Sequence, residues 1–318
     1  MTALMLAAGL ALLVLGGELL VRCAVAIAQR LGVSPLMIGL TLVGFATSTP
    51  ELVTSLQAAL AGSPGIAVGN VVGSNTANIL LILGLAAVIR PVTATPAAFR
   101  RDGSVLVLAA LLCGWVTLAG EIGRGAGTFF LAALLGYIVL TYRLERQSAD
   151  PSAELHAAEA EAARPMPGSP LLAVASVLGG LVLTIVGARL LVEGAIELAT
   201  GFGVSETIIG LTIVAVGTSL PELVTSLMAA LRGQSDVAFG NVIGSNIYNV
   251  LGILGLTALV QPLAVPAEIA TLDIWVMLAA TAVLLVVTLT GWRVTRLEGG
   301  LMLSAYAGYL AWLTLSAA

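Results

Sequence analysis

TSTPELVTSL at residues 47–56 and TSLPELVTSL at residues 218–227 are nearly the same phrase written twice. Each lies inside a strongly apolar stretch and is followed by a second shared phrase, GNVVGSN at 69–75 and GNVIGSN at 240–246. The offset is constant: 171 residues separate Glu51 from Glu222, and 171 separate Ser74 from Ser245. The similarity spreads outward. LGVSPLMIGLTLV at 31–43 matches FGVSETIIGLTIV at 202–214, and GGELLVR at 16–22 matches GARLLVE at 187–193. The chain therefore contains a duplication, with an acid at equivalent positions in both halves. A carboxylate at membrane depth is costly and points to function. Matched, Gly/Pro-interrupted apolar segments in two halves point to a transporter's binding site.

The membrane setting follows from composition. Of 318 residues, 59% are hydrophobic and only 9% charged, with a mean hydropathy of +1.08. That excludes an ordinary water-soluble domain. The apolar runs are long and do not alternate, which argues for spanning helices and against a barrel. All 13 basic residues are arginine and none forms a basic patch, so nothing supports nucleic-acid binding. Cys23 and Cys113 read as small buried apolar groups. The N-terminal MTALMLAAGLALL lacks a basic leader and a cleavage site, and reads as a retained first helix.

About ten helices are expected, over 3–29, 35–61, 66–89, 104–120, 125–143, 170–199, 206–231, 237–260, 272–291 and 298–316. The fold class is an all-α polytopic membrane protein. The long polar break at 143–170 separates five helices from five and contains the only histidine, His156. This gives a first repeat over 1–143, a linker over 144–169 with an Ala/Glu-rich middle, and a second repeat over 170–318. One set of loops carries Arg30, Arg90, Arg100, Arg101, Arg143, Arg146, Arg164, Arg232, Arg293 and Arg296, whereas the alternate set carries only Arg124. The positive-inside rule places the first set and the linker in the cytoplasm and both termini outside. The two motif copies lie in the second and seventh expected helices, an odd step of five in helix order, so the halves face opposite ways: two inverted five-helix repeats. The aligned first helices carry swapped charges, Glu18 with Arg22 and Arg189 with Glu193, each at i,i+4 spacing and read as structural pairs.

The repeated motif presents hard oxygen donors. Thr47, Ser48, Glu51 and Ser55 share a polar helix stripe, which the second copy repeats with Thr218, Ser219 and Glu222. Pro50 and Pro221 remove an N–H and push the preceding backbone out of line, and Gly44 and Gly217 loosen the same turns. Ser74 with Asn78, and Ser245 with Asn249, face one way at i,i+4. Asn70 and Asn241 read either as donors or as packing groups. Gly69 with Gly73, and Gly240 with Gly244, make small-residue faces for close helix approach. Two bidentate carboxylates and two freed carbonyls give about six oxygens, within the range of roughly 6–8 that Ca²⁺ takes. No Cys, His or Met joins the motif, which disfavours soft metals. Each bare carboxylate costs roughly 2.5–3.5 kcal/mol or more at the bilayer centre, so an empty site resists changing face while a loaded one does not. That is a rule for exchange.

The paired G-T-S-x-P-E and G-N-V-x-G-S-N blocks resemble the alpha-repeats of the calcium/cation antiporter superfamily, which includes the Na⁺/Ca²⁺ exchangers; here they span about 31–85 and about 202–256. The resemblance implies ten helices in two inverted repeats. It implies Ca²⁺ bound by Glu51 and Glu222 with the carbonyls of Thr47 and Thr218. It further implies Na⁺ sites using Ser48, Ser219, Ser74, Ser245 and the carbonyls of Gly44 and Ala215, with Asn78 and Asn249 completing the centre. The first helix of each half is expected to slide past the core. Two departures stand out: Ala46 occupies a position where the family usually has glycine, and Asn249 one where several relatives carry aspartate. The amide at 249 argues against potassium cotransport and sets Asn78 opposite Asn249.

The expected activity is Ca²⁺ exchange for Na⁺, with H⁺/Ca²⁺ exchange the alternative because protons also neutralise both glutamates. An intramembrane hydrolase built on paired acids, a passive channel and an ATP-driven pump are each disfavoured, the last because no GxxxxGK[ST] motif is present. No enzyme activity, no cofactor beyond the transported ions and no obligatory protein partner are expected. The partners are Ca²⁺, Na⁺ or H⁺, and the lipid bilayer. Short loops and the lack of a large insert between the halves suggest a prokaryotic inner membrane.

Overall fold

A computed structural model describes residues 2–30, 47–147 and 170–316. The expectations for Gly44, Ala46 and His156 fall outside these residues, as does most of the 144–169 linker. The fold is mostly helical. Helix α1 covers Thr2–Arg30. The first motif opens α2, Thr49–Leu60. It is followed by α3, Pro64–Ala77, a π-helical turn at Asn78–Leu83, and α4, Gly84–Ile89. After strand β1, Val92–Thr93, come α5, Pro96–Leu118, strand β2, Glu121–Ile122, and α6, Arg124–Gln147.

The second half repeats this order. Helix α7 is Pro170–Phe202. Next come α8, Glu206–Ile209, a π-turn at Gly210–Val214, and α9, Ala215–Thr218. The second motif opens α10, Leu220–Arg232, which leads into α11, Ser235–Ile247, a π-turn at Tyr248–Leu254, and α12, Gly255–Val260. Strand β3, Leu263–Ala264, precedes a π-turn at Ile269–Asp273 and α13, Ile274–Leu289. Strand β4, Arg293–Val294, and α14, Arg296–Ser316, complete the order.

Among the described residues, seven helices are long and apolar enough to cross a membrane, and an eighth if the bent pair Glu206–Thr218 and Leu220–Arg232 is one span. Two expected spans are not among them. The 35–61 span is described only from residue 47. The 298–316 span is a helix, but its glycines, serines and tyrosines dilute its apolar character. The all-α expectation needs one amendment: β1 pairs antiparallel with β4 (Val92 opposite Val294) and β2 with β3 (Ile122 opposite Leu263). Each ladder joins one half to the other.

Burial separates centre from rim. The windows within Pro64–Ile89 and Ser235–Val260 are 78% and 83% buried, against 22–44% for the other single-helix spans, so these two form the core. The outer helices expose large apolar side chains such as Leu108, Trp115, Leu135, Val182 and Val286, as lipid-facing surfaces do. Glycines let helices meet where no side chain fits. On the seam between α1 and α7, a Cβ at Gly9 would lie 2.8 Å from the Gly187 carbonyl oxygen, and one at Gly16 would lie 2.6 Å from Thr184 Oγ1. In the core, Gly69 and Gly73 bring α3 against residues 207–215, as their spacing predicts. The segment equivalent to 207–215 by the 171-residue offset lies outside the described residues. The two swapped charge pairs form as expected, Arg22 with Glu18 and Arg189 Nε with Glu193 Oε1 at 2.8 Å. All four side chains are exposed.

Candidate cation-binding site at two broken helices

Both motifs fold the same way for the same local reasons. Proline occupies the second position of α2 and of α10, where its missing N–H costs least. The residue before each helix leaves helical geometry: Ser48 has φ −86° and ψ 9°, and Ser219 has φ −80° and ψ 9°. At Ser219 the chain bends by 47°. The third residue of each helix is the glutamate, which puts both carboxylates at the positive end of a helix dipole. The end of α9 points its carbonyls at the same break, and such a C-terminus favours cations.

Each glutamate helix ends identically. Gly62 (φ +79°) and Gly233 (φ +81°) adopt the left-handed conformation that glycine takes without strain. Paired reverse hydrogen bonds close each end, Ser63 N to Ala58 O at 2.9 Å and Gln234 N to Ala229 O at 2.9 Å. The resulting hairpins lay α3 against α2 and α11 against α10. Asn70 Nδ2 then donates to the Glu51 carbonyl at 3.2 Å and to Ser55 Oγ at 2.9 Å. Asn241 Nδ2 does the same to the Glu222 carbonyl and Ser226 Oγ, at 3.2 and 2.9 Å. Of the two readings open for these asparagines, these contacts are those of clamps that hold each hairpin shut. Asn70 also reaches across, its Oδ1 accepting from Thr218 Oγ1 at 3.0 Å.

The two halves exchange ligands at the centre. Ser219 Oγ donates to Glu51 Oε1 at 2.9 Å, and Ser48 Oγ donates to Glu222 Oε1 at 3.1 Å. Ser245 Oγ approaches Glu222 Oε1 at 3.5 Å. Ser74 Oγ instead donates to the Ala215 carbonyl at 3.3 Å. Thr47 and Thr218 continue the exchange, each side chain acting on the carboxylate of the other half. Glu51 is 0% exposed and Glu222 1%, and among the described residues neither is in an ion pair.

Several buried oxygens are left over. Glu51 Oε2, Glu222 Oε2, Asn78 Oδ1 and both amide atoms of Asn249 have no hydrogen-bond partner among the described residues. An unsatisfied buried polar atom costs roughly 1–3 kcal/mol, more when charged. Two anionic oxygens and neighbouring amide and hydroxyl oxygens, with no compensating cation among the described residues, are the donor set of a hard cation. No cluster of three or more His, Cys, Asp or Glu side chains occurs among the described residues. The π-turns at 78–83 and 248–254 begin at or just before Asn78 and Asn249. Such turns recur at functional sites, and no sequence feature used above announced them. The Asn78 turn packs on α10, which carries Glu222, and the Asn249 turn packs on α2, which carries Glu51.

The structure brings together most of the predicted donors. Asn78 Nδ2 donates to Asn246 Oδ1 at 3.4 Å, a partner the sequence reading did not name. A second duplicated pair escaped the sequence reading: Tyr137 donates to Asp102 at 3.0 Å and Tyr309 to Asp273 at 2.8 Å. The same 171-residue offset links the two aspartates and was the signal available. Arg101 pairs with Asp102 at 2.7 Å, whereas its counterpart by the offset is Leu272. A cleft of about 360 Å³ lined by Leu80, Leu272, Val276, Val283, Tyr309 and Trp312, among others, is apolar and holds none of the predicted donors.

Comparison with known proteins agrees with this chemistry. The family model described as sodium/calcium exchanger protein matches residues 1–143 and 172–315. A putative antiporter, CaxA, from Alkalimonas amylolytica is 39% identical over 95% of this chain and 95% of its own. The sodium/calcium exchanger MaX1 from Methanosarcina acetivorans is 33% identical over 96% of this chain and 97% of its own. A solved structure of the sodium-calcium exchanger NCX_Mj, soaked with 2.5 mM Na⁺ and 10 mM Sr²⁺, superposes with a TM-score of 0.65 at 30% identity, covering 98% of this chain and 99% of that one.

Proposed function

The chain belongs to the sodium/calcium exchanger protein family, and on that premise we propose that it exchanges Ca²⁺ for Na⁺ at a site centred on Glu51 and Glu222. It is an integral membrane transporter of a prokaryotic exchanger family and not an enzyme. The observation that carries the proposal is the reciprocal pair of hydrogen bonds between Ser48 and Glu222 and between Ser219 and Glu51. They engage one oxygen of each buried carboxylate and leave the other without a partner among the described residues. Ca²⁺ is held by these free oxygens with the carbonyls of Thr47 and Thr218 and the amide oxygens of Asn78 and Asn249. Sodium ions use the same acids with Ser48, Ser219, Ser74 and Ser245.

Exchange follows from electrostatics. Two bare carboxylates in a low-dielectric core make the empty site costly to occlude, by roughly 2.5–3.5 kcal/mol or more each. Ca²⁺ or several Na⁺ remove that cost, so the loaded protein changes face and the empty one does not. Two five-helix repeats in inverted orientation, 1–143 and 170–318, give the site equivalent routes to either side. The glycine-lined seam between α1 and α7 supports sliding of that pair past the core. The loop arginines support cytoplasmic placement of the 144–169 linker, with both termini outside an inner membrane.

The test is radiolabelled Ca²⁺ uptake into proteoliposomes under an outward Na⁺ gradient, an outward H⁺ gradient or neither, with Glu222→Gln alongside. Uptake driven by Na⁺ and lost in the variant is expected. Uptake driven only by H⁺ moves the assignment to proton exchange on the same two acids. Absence of gradient-dependent flux sinks the calcium assignment.

A further inference from the structure

Asn78 and Asn249 occupy equivalent positions, yet their surroundings differ. Asn78 Nδ2 donates to Asn246 Oδ1 at 3.4 Å, leaving Asn78 Oδ1 buried and without a partner among the described residues. Asn249 has neither atom engaged among the described residues. The counterpart of Asn246 is Asn75, whose Nδ2 donates to the Val71 carbonyl on its own helix at 2.9 Å, and the Asn249 amide does not reach Asn75. Asn246 is 0% exposed and its Nδ2 has no partner among the described residues. An amide can present either its oxygen or its NH₂ to a neighbour. Beside a cation the two choices are far apart in energy, because one attracts and the other repels it. Something must fix the choice before the ion arrives if the site is to be preorganised.

We propose that Asn246 is a positioning residue for cation binding: by accepting from Asn78 Nδ2, it turns Asn78 Oδ1 toward the ion. This rests on the exchanger reading above and adds to it a residue that does not itself touch the ion. The device exists in one half only. Asn78 enters the site preset, while Asn249 orders when the ion binds.

The experiment measures Ca²⁺ affinity of purified full-length protein by Ca²⁺-dependent thermal shift, and half-saturating Ca²⁺ and maximal rate by proteoliposome uptake. Asn246→Leu, nearly the same shape without an acceptor, is expected to weaken Ca²⁺ binding about three- to tenfold, the scale of one lost hydrogen bond, with maximal rate retained. In an Asn78→Ala background the same substitution is expected to change nothing, because its effect passes through Asn78. Asn246→Asp, which keeps the acceptor, is expected to bind Ca²⁺ at least as tightly as wild type. It serves as the decisive variant should leucine fail to insert. Affinity within twofold of wild type for Asn246→Leu, an equal loss in both backgrounds, or weakened binding in Asn246→Asp overturns the proposal. A wild type with no Ca²⁺-induced shift overturns the exchanger reading and this one together, whereas a responsive wild type with an equally responsive Asn246→Leu overturns this one alone.

Discussion

Ser219 donates to Glu51 Oε1 beside the Thr218 side chain, whereas Glu222, beside the Thr47 side chain, has both Ser48 and the longer contact from Ser245 on its Oε1. That inequality makes the two serines separable. A hydrogen bond to a charged group is worth about 1.5–3 kcal/mol. Ser219→Ala is therefore expected to raise half-saturating Ca²⁺ by roughly tenfold or more, and Ser48→Ala by less, since Ser245 remains. Uptake titrations of the two variants side by side check the order, and equal or reversed effects would contradict the geometry. Asn70 carries more than either serine: its amide satisfies the Glu51 carbonyl, Ser55 and Thr218 at once. Asn70→Ala leaves buried groups unpaired and is expected to cost about 1–3 kcal/mol of stability, read as a lower melting temperature in detergent.

Among the elements, the two glutamate hairpins share a design but not their surroundings. Gly62 and Gly233 end α2 and α10 at positive φ, where an added Cβ costs about 1–2 kcal/mol. A Cβ on Gly62 meets open space, but one on Gly233 would lie 2.5 Å from Arg90 Nη1. The Arg90 guanidinium sits there against a helix C-terminus, where a cation is favoured. Gly233→Ala is accordingly expected to melt lower than Gly62→Ala, with both below wild type. Identical melting temperatures for the two variants would show that the Arg90 contact carries no weight. Comparable pairing across the halves recurs at Arg124 Nε to the Leu259 carbonyl and Arg296 Nη2 to the Ile89 carbonyl, both at 3.3 Å. Each arginine caps the core helix of the opposite half.

For the whole molecule, cation occupancy and stability are one quantity seen two ways. A ligand that binds only the folded state stabilises it by about 2.7 kcal/mol at one hundred times its Kd. Both Ca²⁺ and Na⁺ are expected to raise the melting temperature of the purified protein. Saturating Na⁺ is expected to shrink the further shift produced by Ca²⁺, because the two compete for the same carboxylates. Glu51→Gln and Glu222→Gln each remove one of the two charges and are expected to abolish the Ca²⁺-induced shift while remaining folded. A full Ca²⁺ shift in either variant would move the site away from these acids. Acidification is expected to oppose Ca²⁺ in the same assay, since a proton on either glutamate takes the ion's place.

The repeat, the acids and the breaks were legible in the sequence because each has a local cause. Proline at the break and a polar stripe at i,i+4 act within a few residues, and the 171-residue offset shows that the set occurs twice, whereas the left-handed glycines Gly62 and Gly233 were not read from it. Which atoms meet across the halves was not legible. Ser48 reaching Glu222, Ser219 reaching Glu51 and Asn78 reaching Asn246 span 168–174 residues, and such partners are set by how the two helical cores dock. The π-turns at Asn78–Leu83 and Tyr248–Leu254 and the two strand ladders also wait on that docking. A local pattern records what each segment needs, and only the packed structure decides which neighbour supplies it, because a buried polar atom must be satisfied by whatever lies within about 3 Å of it.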